Sequence, residues 1–297
     1  MTRSVALVTA RAARGLDADM PPLIAAFAAA GARAEIVDWD DEEARWARFD
    51  AALLRSAWDY AERLPQFLAW LERTAAITRL FNPPAVVRWN ADKHYLGELA
   101  AGGLPVVATT YIEPGADAAD VLRRFLAQHA CAELVVKPAV GAGARDARRH
   151  DRAAATEILA HLRPLLAARR SVMLQPYLAG VDTDGETALM FIAGRFSHAV
   201  RKGALLPRGG AATPGLFAPE DISARLPGAD ELAAAQRIMA ALPFGELLYG
   251  RVDLIRDGSG APRLLELEIT EPSMYFGHAP GSAARLAGAL LKRLAAG

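Results

Sequence analysis

The sequence predicts a mixed α/β protein: a Rossmann-like parallel-sheet domain leads, and a more hairpin-rich α+β part comes after it. Three observations carry this. Strands and helices alternate through the first third, two hairpins of alternating strands occur later, and 297 residues exceed one typical domain.

The elements run in order. Ser4–Thr9 is a short apolar strand, and residues 21–30 form a helix with Pro21 and Pro22 near its start and Gly31 at its end. Residues 34–37 and 51–54 are further strands, and 64–73 is a second helix. Such alternation implies a parallel sheet, whose ligands sit beyond the carboxyl ends of the strands. That rule points to Thr9-Ala10-Arg11 and to Arg55-Ser56-Ala57-Trp58-Asp59-Tyr60, although Arg55 and Asp59 read equally well as loop charges paired with each other. No G-x-G-x-x-G follows the first strand, which speaks against a dinucleotide site. Asn82-Pro83-Pro84 marks a turn, and Asn90 or Asp92 is placed to cap the helix after it. Residues 133–136 and 171–178 are strands, the latter running into a connector at Pro176. Residues 186–192 and 195–202 form a hairpin around Ala193-Gly194. Residues 204–221 are rich in Gly and Pro, and a loop of that length is more often a lid than idle.

Composition narrows the function. With 34 basic and 34 acidic residues the net charge is zero, which argues against nucleic acid or an anionic membrane as the main partner. At 53% hydrophobic the chain can bury substantial cores. The apolar run from Val5 to Ala10 is too short for a signal-peptide core or a membrane span, so a cytoplasmic protein is expected. The single cysteine, Cys131, allows no internal disulfide and reads as a buried, inert thiol. The six histidines show no metal-ligand spacing, and no nucleophile motif is present.

The chemistry-bearing residues lie in the middle and at the end. Lys137 finishes the apolar strand 133–136, where a charge is costly unless it meets an anion. The loop beside it, with Gly141 and Gly143, could fold backbone N–H groups over phosphate oxygens, but a mobile loop with a snorkelling lysine explains the same residues. In the last hairpin, 249–255 and 263–269 alternate around Asp257-Gly258-Ser259-Gly260. A turn centred between Ser259 and Gly260 sets Asp253 opposite Glu266, with Glu268 on the same face. Three carboxylates on one patch repel unless a cation holds them, and Mg2+ beside a polyphosphate prefers such oxygens. A solvated outer face, with Arg251 pairing Glu268, explains the hairpin alone equally well.

Taken in order, Lys93, Val135-Val136-Lys137-Pro138 with its glycine loop, Gln175-Pro176-Tyr177-Leu178 and Arg251-Val252-Asp253…Glu266-x-Glu268 resemble the ATP-grasp ligases. Within them, Arg55-Ser56-x-Trp58-Asp59-Tyr60, Asn82-Pro83 with Asn90-x-Asp92-Lys93, and Glu266-Leu267-Glu268…Glu271-Pro272-Ser273 look most like the ligases that close the D-cycloserine ring. The resemblance implies three units: an N-terminal α/β domain (1–90), a central lid domain (91–177) and a C-terminal domain with the metal site (178–297). It places Lys93, Lys137, Gly141, Gly143, Gln175, Pro176, Tyr177 and Leu178 on ATP, with Glu186 facing either the nucleotide or a basic residue. Asp253, Glu266 and Glu268 would hold two Mg2+ ions, although the family usually has Asn where Glu268 stands. Arg251 and Lys202 take the catalytic role, and Arg55, Asp59, Arg201 and Ser273 the substrate.

The function implied by the resemblance is that of an ATP-dependent ligase. It would make an acyl-phosphate from a small-molecule carboxylate and form a C–N bond, the specific expectation being cyclisation of O-ureido-D-serine to D-cycloserine in antibiotic biosynthesis. Such chemistry joins two anions, so positioning and charge neutralisation carry it. The intermediate must be kept from water, which gives loops 139–145 and 204–221 a reason to close. The alternatives are an intermolecular carboxylate–amine ligase and a nucleotide-binding protein without catalysis. Self-association into a homo-oligomer stays open.

Overall fold

The protein is described by a computed structural model, which covers residues 2–209, 216 and 220–296; of the expected lid 204–221, residues 210–215 and 217–219 lie outside the described residues. The first sheet contains β1 (Ser4–Thr9), β2 (Arg33–Asp38), β3 (Ala51–Ser56) and β4 (Arg79–Phe81), with α1 (Met20–Ala29) and α2 (Leu64–Ala75) in the connections. All four strands are parallel, in the order β2-β1-β3-β4. β1 is buried on both faces: Val5 and Leu7 pack towards α1, Ala6 and Val8 towards a cluster holding Trp39, Phe67 and Trp70. Each such Val or Leu contributes roughly 1.5–3 kcal/mol.

The second sheet comes after α3 (Pro84–Asn90) and α4 (Tyr95–Ala101). It is built from β5 (Thr110–Ile112), β6 (Glu133–Pro138), β7 (Arg148–Asp151) and β8 (Val172–Pro176), with α5 (Ala118–Gln128) and α6 (Ala155–Ala167). Its order is β5-β8-β6-β7, antiparallel throughout. Leu134 and Val136 face α5 and α6, so Val135 and Lys137 face the opposite side. Cys131 is half-buried at the rim of this core.

The third sheet, preceded by α7 (Val181–Asp184), joins β9 (Glu186–Ile192), β10 (Arg195–Lys202), β11 (Ile222–Arg225), β12 (Tyr249–Arg256) and β13 (Pro262–Glu268) in the antiparallel order β11-β10-β9-β12-β13. α8 (Ala229–Ala240) packs beneath it. Two helices cross between sheets: α4 buries Leu96 and Leu99 in the core of the third, and α9 (Ser282–Ala295) returns to α1 and the first.

Both hairpins form. Ala193 and Gly194 have φ of 48° and 70°, the left-handed pair that a two-residue turn requires. In the last hairpin the turn is centred on Ser259, with Asp257 N–H donating to Ala261 O at 2.9 Å, half a residue from the expected centre. A β-bulge corrects the difference: Leu254 faces Leu264 but Asp253 faces Glu266, leaving Leu265 as the extra residue. The expected juxtapositions of Asp253 with Glu266 and of Arg251 with Glu268 result.

Candidate active site

One cavity of about 520 Å³ is lined by residues of the second and third sheets and by the segments that follow β1 and β3 of the first. Part of its wall is apolar, where Val107, Tyr177, Leu178, Val181, Ile255 and Leu265 cluster. The bulge places Leu265 on this wall next to Glu266. The connector after β8 is fixed from behind: Gln175 Nε2 donates to Thr109 Oγ1 at 2.9 Å, and Tyr177 N–H to Glu133 O at 2.9 Å. The guanidinium of Arg149 stands 3.5 Å from the centre of the Tyr177 ring. The Gln175 amide nitrogen is thus turned to Thr109.

Basic groups gather on the same cavity. Lys93 Nζ donates to Gly141 O at 2.6 Å and lies 3.1 Å from Glu266. Lys137, half-buried on β6, has no hydrogen bond or ion pair among the described residues, and burial lowers its pKa. Lys202 Nζ lies 3.0 Å from Asp253, 3.3 Å from Glu186 and 3.6 Å from Glu220; burial works against its charge, but Asp253 and Glu186 hold the pKa well above the usual lysine value. Arg251 grips Asp253 through Nε and Nη2 at 2.8 and 2.9 Å, pairs with Glu268 and donates to Ser273 O at 3.1 Å. In the glycine loop Gly143 and Ala144 have φ of 64° and 58°, and Arg145 pairs with Glu62 of the first unit, drawing the loop across the cavity.

The three expected metal ligands are not equivalent. Glu266 and Glu268 open onto the cavity, whereas Asp253 is 1% exposed and has both oxygens bound by Arg251 and Lys202. Among the described residues no three acidic or histidine side chains are grouped to share one cation. The Glu268 carboxyl is held up at about 7: burial pushes it up most, Arg251 pulls it down, and Asp253 and Glu266 push it up. Two hard carboxylates facing phosphate-type basic groups are a donor set that suits Mg2+. Asp253 can join them only by exchanging a bond to Arg251 or Lys202.

Residues 5–82 match the family model for the N-terminal domain of D-cycloserine synthetase DcsG. Over 300 residues the chain is 43% identical to the cycloserine biosynthesis protein DcsG of Streptomyces lavendulae, covering 98% of each. The chain belongs to the D-cycloserine synthetase family. The crystal structure of D-cycloserine synthetase DcsG superposes with a TM-score of 0.92 at 41% identity, over 98% of this chain and 99% of that one. More distant likenesses show the shared fold: D-alanine–D-alanine ligase of Bacillus anthracis (TM-score 0.70, 16% identity, 100% and 98% of the chains) and the ATP-grasp ligase PsnB with its minimal precursor (0.65, 22%, 99% and 100%). The expected ATP-grasp fold with its leading parallel sheet is thus borne out.

In this member of the D-cycloserine synthetase family, Lys93, Lys137, Gly141, Gly143, Gln175 to Leu178, Glu186, Lys202, Arg251, Glu266, Glu268 and Ser273 all line the cavity. Arg55, Asp59 and Arg201 do not. β3 runs two residues further than expected, so Arg55 is a fully buried strand residue that pairs with Asp19 at 3.3 Å, not with Asp59. Asp59 pairs with Arg63 and accepts the Trp39 indole N–H at 2.8 Å. Arg201 alternates with Lys202 on β10 and so points away, donating to Asp184 O and Asp221. Asn90 caps no helix: its amide donates to Leu267 O at 2.8 Å and accepts from Ile269 N–H at 3.0 Å, along the outer edge at the end of β13. Asp92 instead accepts from His94 N–H at 3.1 Å. Tyr95 and Asn82 complete that edge, the hydroxyl bonding Leu267 N–H at 2.9 Å and the amide Ile269 O at 2.8 Å. Sequence reasoning missed this clasp; its signal was polar side chains set among apolar helix neighbours. It also left Asp17, Glu220, Glu271 and Tyr275 out of the cavity wall.

Among the described residues no helix is long and apolar enough to cross a membrane.

Proposed function

We propose that this chain is a cytoplasmic ATP-dependent ligase that phosphorylates the carboxylate of O-ureido-D-serine and closes it through its own nitrogen to the D-cycloserine ring. Adenine lies against the apolar wall of Val107, Ile255 and Leu265 and meets the backbone of residues 176–178. Lys137, with no hydrogen bond or ion pair among the described residues, receives phosphate oxygens together with Lys93 and the amides around Gly141 and Gly143. Two Mg2+ ions, held by Glu266 and Glu268 with Asp253 as the third carboxylate, would neutralise phosphate charge during transfer.

The chain's own residues do the rest. Arg251 is oriented by Asp253 and Ser273 O towards the developing charge. Lys202 is kept protonated by its carboxylates and adds a second fixed positive charge. The glycine loop, closed by Arg145 on Glu62, keeps water from the acyl-phosphate. The ureido nitrogen attached to oxygen attacks the acyl carbon, phosphate leaves with one carboxylate oxygen, and the carbamoyl group departs as carbon dioxide and ammonia with uptake of water. The nucleophile is tethered to the electrophile, so proximity replaces a second binding site.

The observation that carries this reading is the joining of Lys93, Lys137, Arg251, Glu266 and Glu268 on one cavity in a chain 43% identical to DcsG over its length. With ATP, Mg2+ and O-ureido-D-serine and no added amine, ADP, phosphate and a five-membered cyclic product should appear together by mass spectrometry. Turnover only of another carboxylate with an added amine would make the protein an intermolecular ligase instead.

A further inference from the structure

Seven carboxylates line the cavity, and their partners decide which of them are available to a ligand. Glu266 pairs with Lys93, Glu268 with Arg251, and Glu186 and Glu220 with Lys202. Asp19 accepts the backbone N–H groups of Met274, Tyr275 and Phe276 at 2.6, 3.0 and 2.8 Å and pairs with Arg55. Asp17 accepts Asp19 N–H at 2.9 Å, and its other oxygen is sealed 3.9 Å from Arg55. Glu271 differs: no hydrogen bond or ion pair reaches its side chain among the described residues, although the residue is only 8% exposed.

A buried carboxylate without a donor is costly, and on a ligand cavity the natural donor is the ligand. The setting of Glu271 indicates which part of the ligand. It lies on the loop between Glu268 and Ser273, whose carbonyl holds Arg251, so it flanks the groups that face the reacting carboxylate. Its backbone carbonyl accepts the Trp58 indole N–H at 3.3 Å, and Trp58 and Tyr60 share the cavity wall. In an α-amino acid the ammonium nitrogen is two bonds from the carboxyl carbon, so a group that receives it must stand beside the carboxylate site. A lone carboxylate with aromatic neighbours is a suitable acceptor for such a cation.

We propose that Glu271 receives the α-ammonium group of the amino-acid substrate and is the residue by which the enzyme requires it. This rests on the proposed function, in which the substrate is an amino acid. The other carboxylates of the wall are held by protein cations or amides and do not compete for the role.

The test compares O-ureido-D-serine with its analogue lacking the amino group, in the full-length wild type and in Glu271→Gln and Glu271→Asp. Turnover is measured for each compound, and competitive inhibition where turnover is absent. Wild type should strongly prefer the amino substrate. Glu271→Gln should lose about ten- to a hundredfold of that preference, mainly as a raised KM, with the analogue and the KM for ATP unaffected. Glu271→Asp, which keeps the charge, should recover most of it and guards against misfolding of the Gln variant. An equal loss of kcat on both compounds would overturn the inference and make Glu271 a general base or a structural residue; unchanged preference overturns it outright. Wild-type protein that uses neither compound overturns the substrate reading itself, an outcome separate from any change confined to the variants.

Discussion

On the proposed function, Glu266 and Lys137 are each a structural cost that the ligand repays. Glu266 opens on the cavity, pairs with Lys93 and feels the charge of Lys137, so Glu266→Gln removes one charge at constant size. ADP formation should be abolished while the melting temperature stays close to wild type; turnover at the wild-type rate in a folded variant would remove Glu266 from the metal site. Lys137 is half-buried with no hydrogen bond or ion pair among the described residues, and burial already lowers its pKa. In Lys137→Met, calorimetry should show ATP binding weakened by ~1.5–3 kcal/mol, whereas the free protein should be no less stable. Unchanged ATP affinity would return Lys137 to the role of a snorkelling surface residue. Lys137 was legible as a charge closing an apolar strand. The burial of Arg55 was not, because the partner that draws it inward, Asp19, lies far away in sequence.

The element that decides the site is β13, an edge strand that must hold two cavity carboxylates still. An open edge leaves backbone groups unpaired; residues 105–107 bridge this one at Leu264, and beyond it Asn90, Tyr95 and Asn82 satisfy the backbone from the adjoining helices and the chain after β4. Asn90→Ala should therefore cost about 1–3 kcal/mol, read by denaturant unfolding, and should lower kcat for ADP formation more than it changes the KM for ATP. A variant of unchanged stability would show that the amide is dispensable to the edge. Period-two alternation made the two strands of this hairpin legible, and with them the opposition of Asp253 and Glu266. The bulge at Leu265 was not legible, since a turn one half-residue out and a bulge give the same pairing at the site. The clasp was hidden for a related reason: an Asn before a helix reads as a local cap, and only tertiary structure shows it serving a strand almost two hundred residues on.

Across the whole protein, the parallel sheet and the hairpin sheet were readable from periodicity, but their mutual arrangement was not. α9 returns to the first sheet and α4 packs on the third because each has an apolar face that its own neighbourhood cannot cover. The second sheet and its helices carry a separate acid sensitivity. His150 and His161, linked at 3.0 Å between β7 and α6, are both lowered by burial, His161 to about 4. The unfolded chain takes up protons near 6.5 while the folded one does not, so this contribution is complete above that pH and is lost as pH falls towards 4. The melting temperature should drop across that window, and less steeply in His161→Gln; coincident profiles would exclude the pair as the cause.

On the proposed function the substrate carboxylate is phosphorylated before the ring closes, and oxygen labelling reads that step out. O-ureido-D-serine carrying heavy oxygen at both carboxylate positions should deliver one labelled oxygen to inorganic phosphate and keep the other in the ring carbonyl of the product. Cyclic product formed together with unlabelled phosphate would contradict an acyl-phosphate, whatever residues line the cavity.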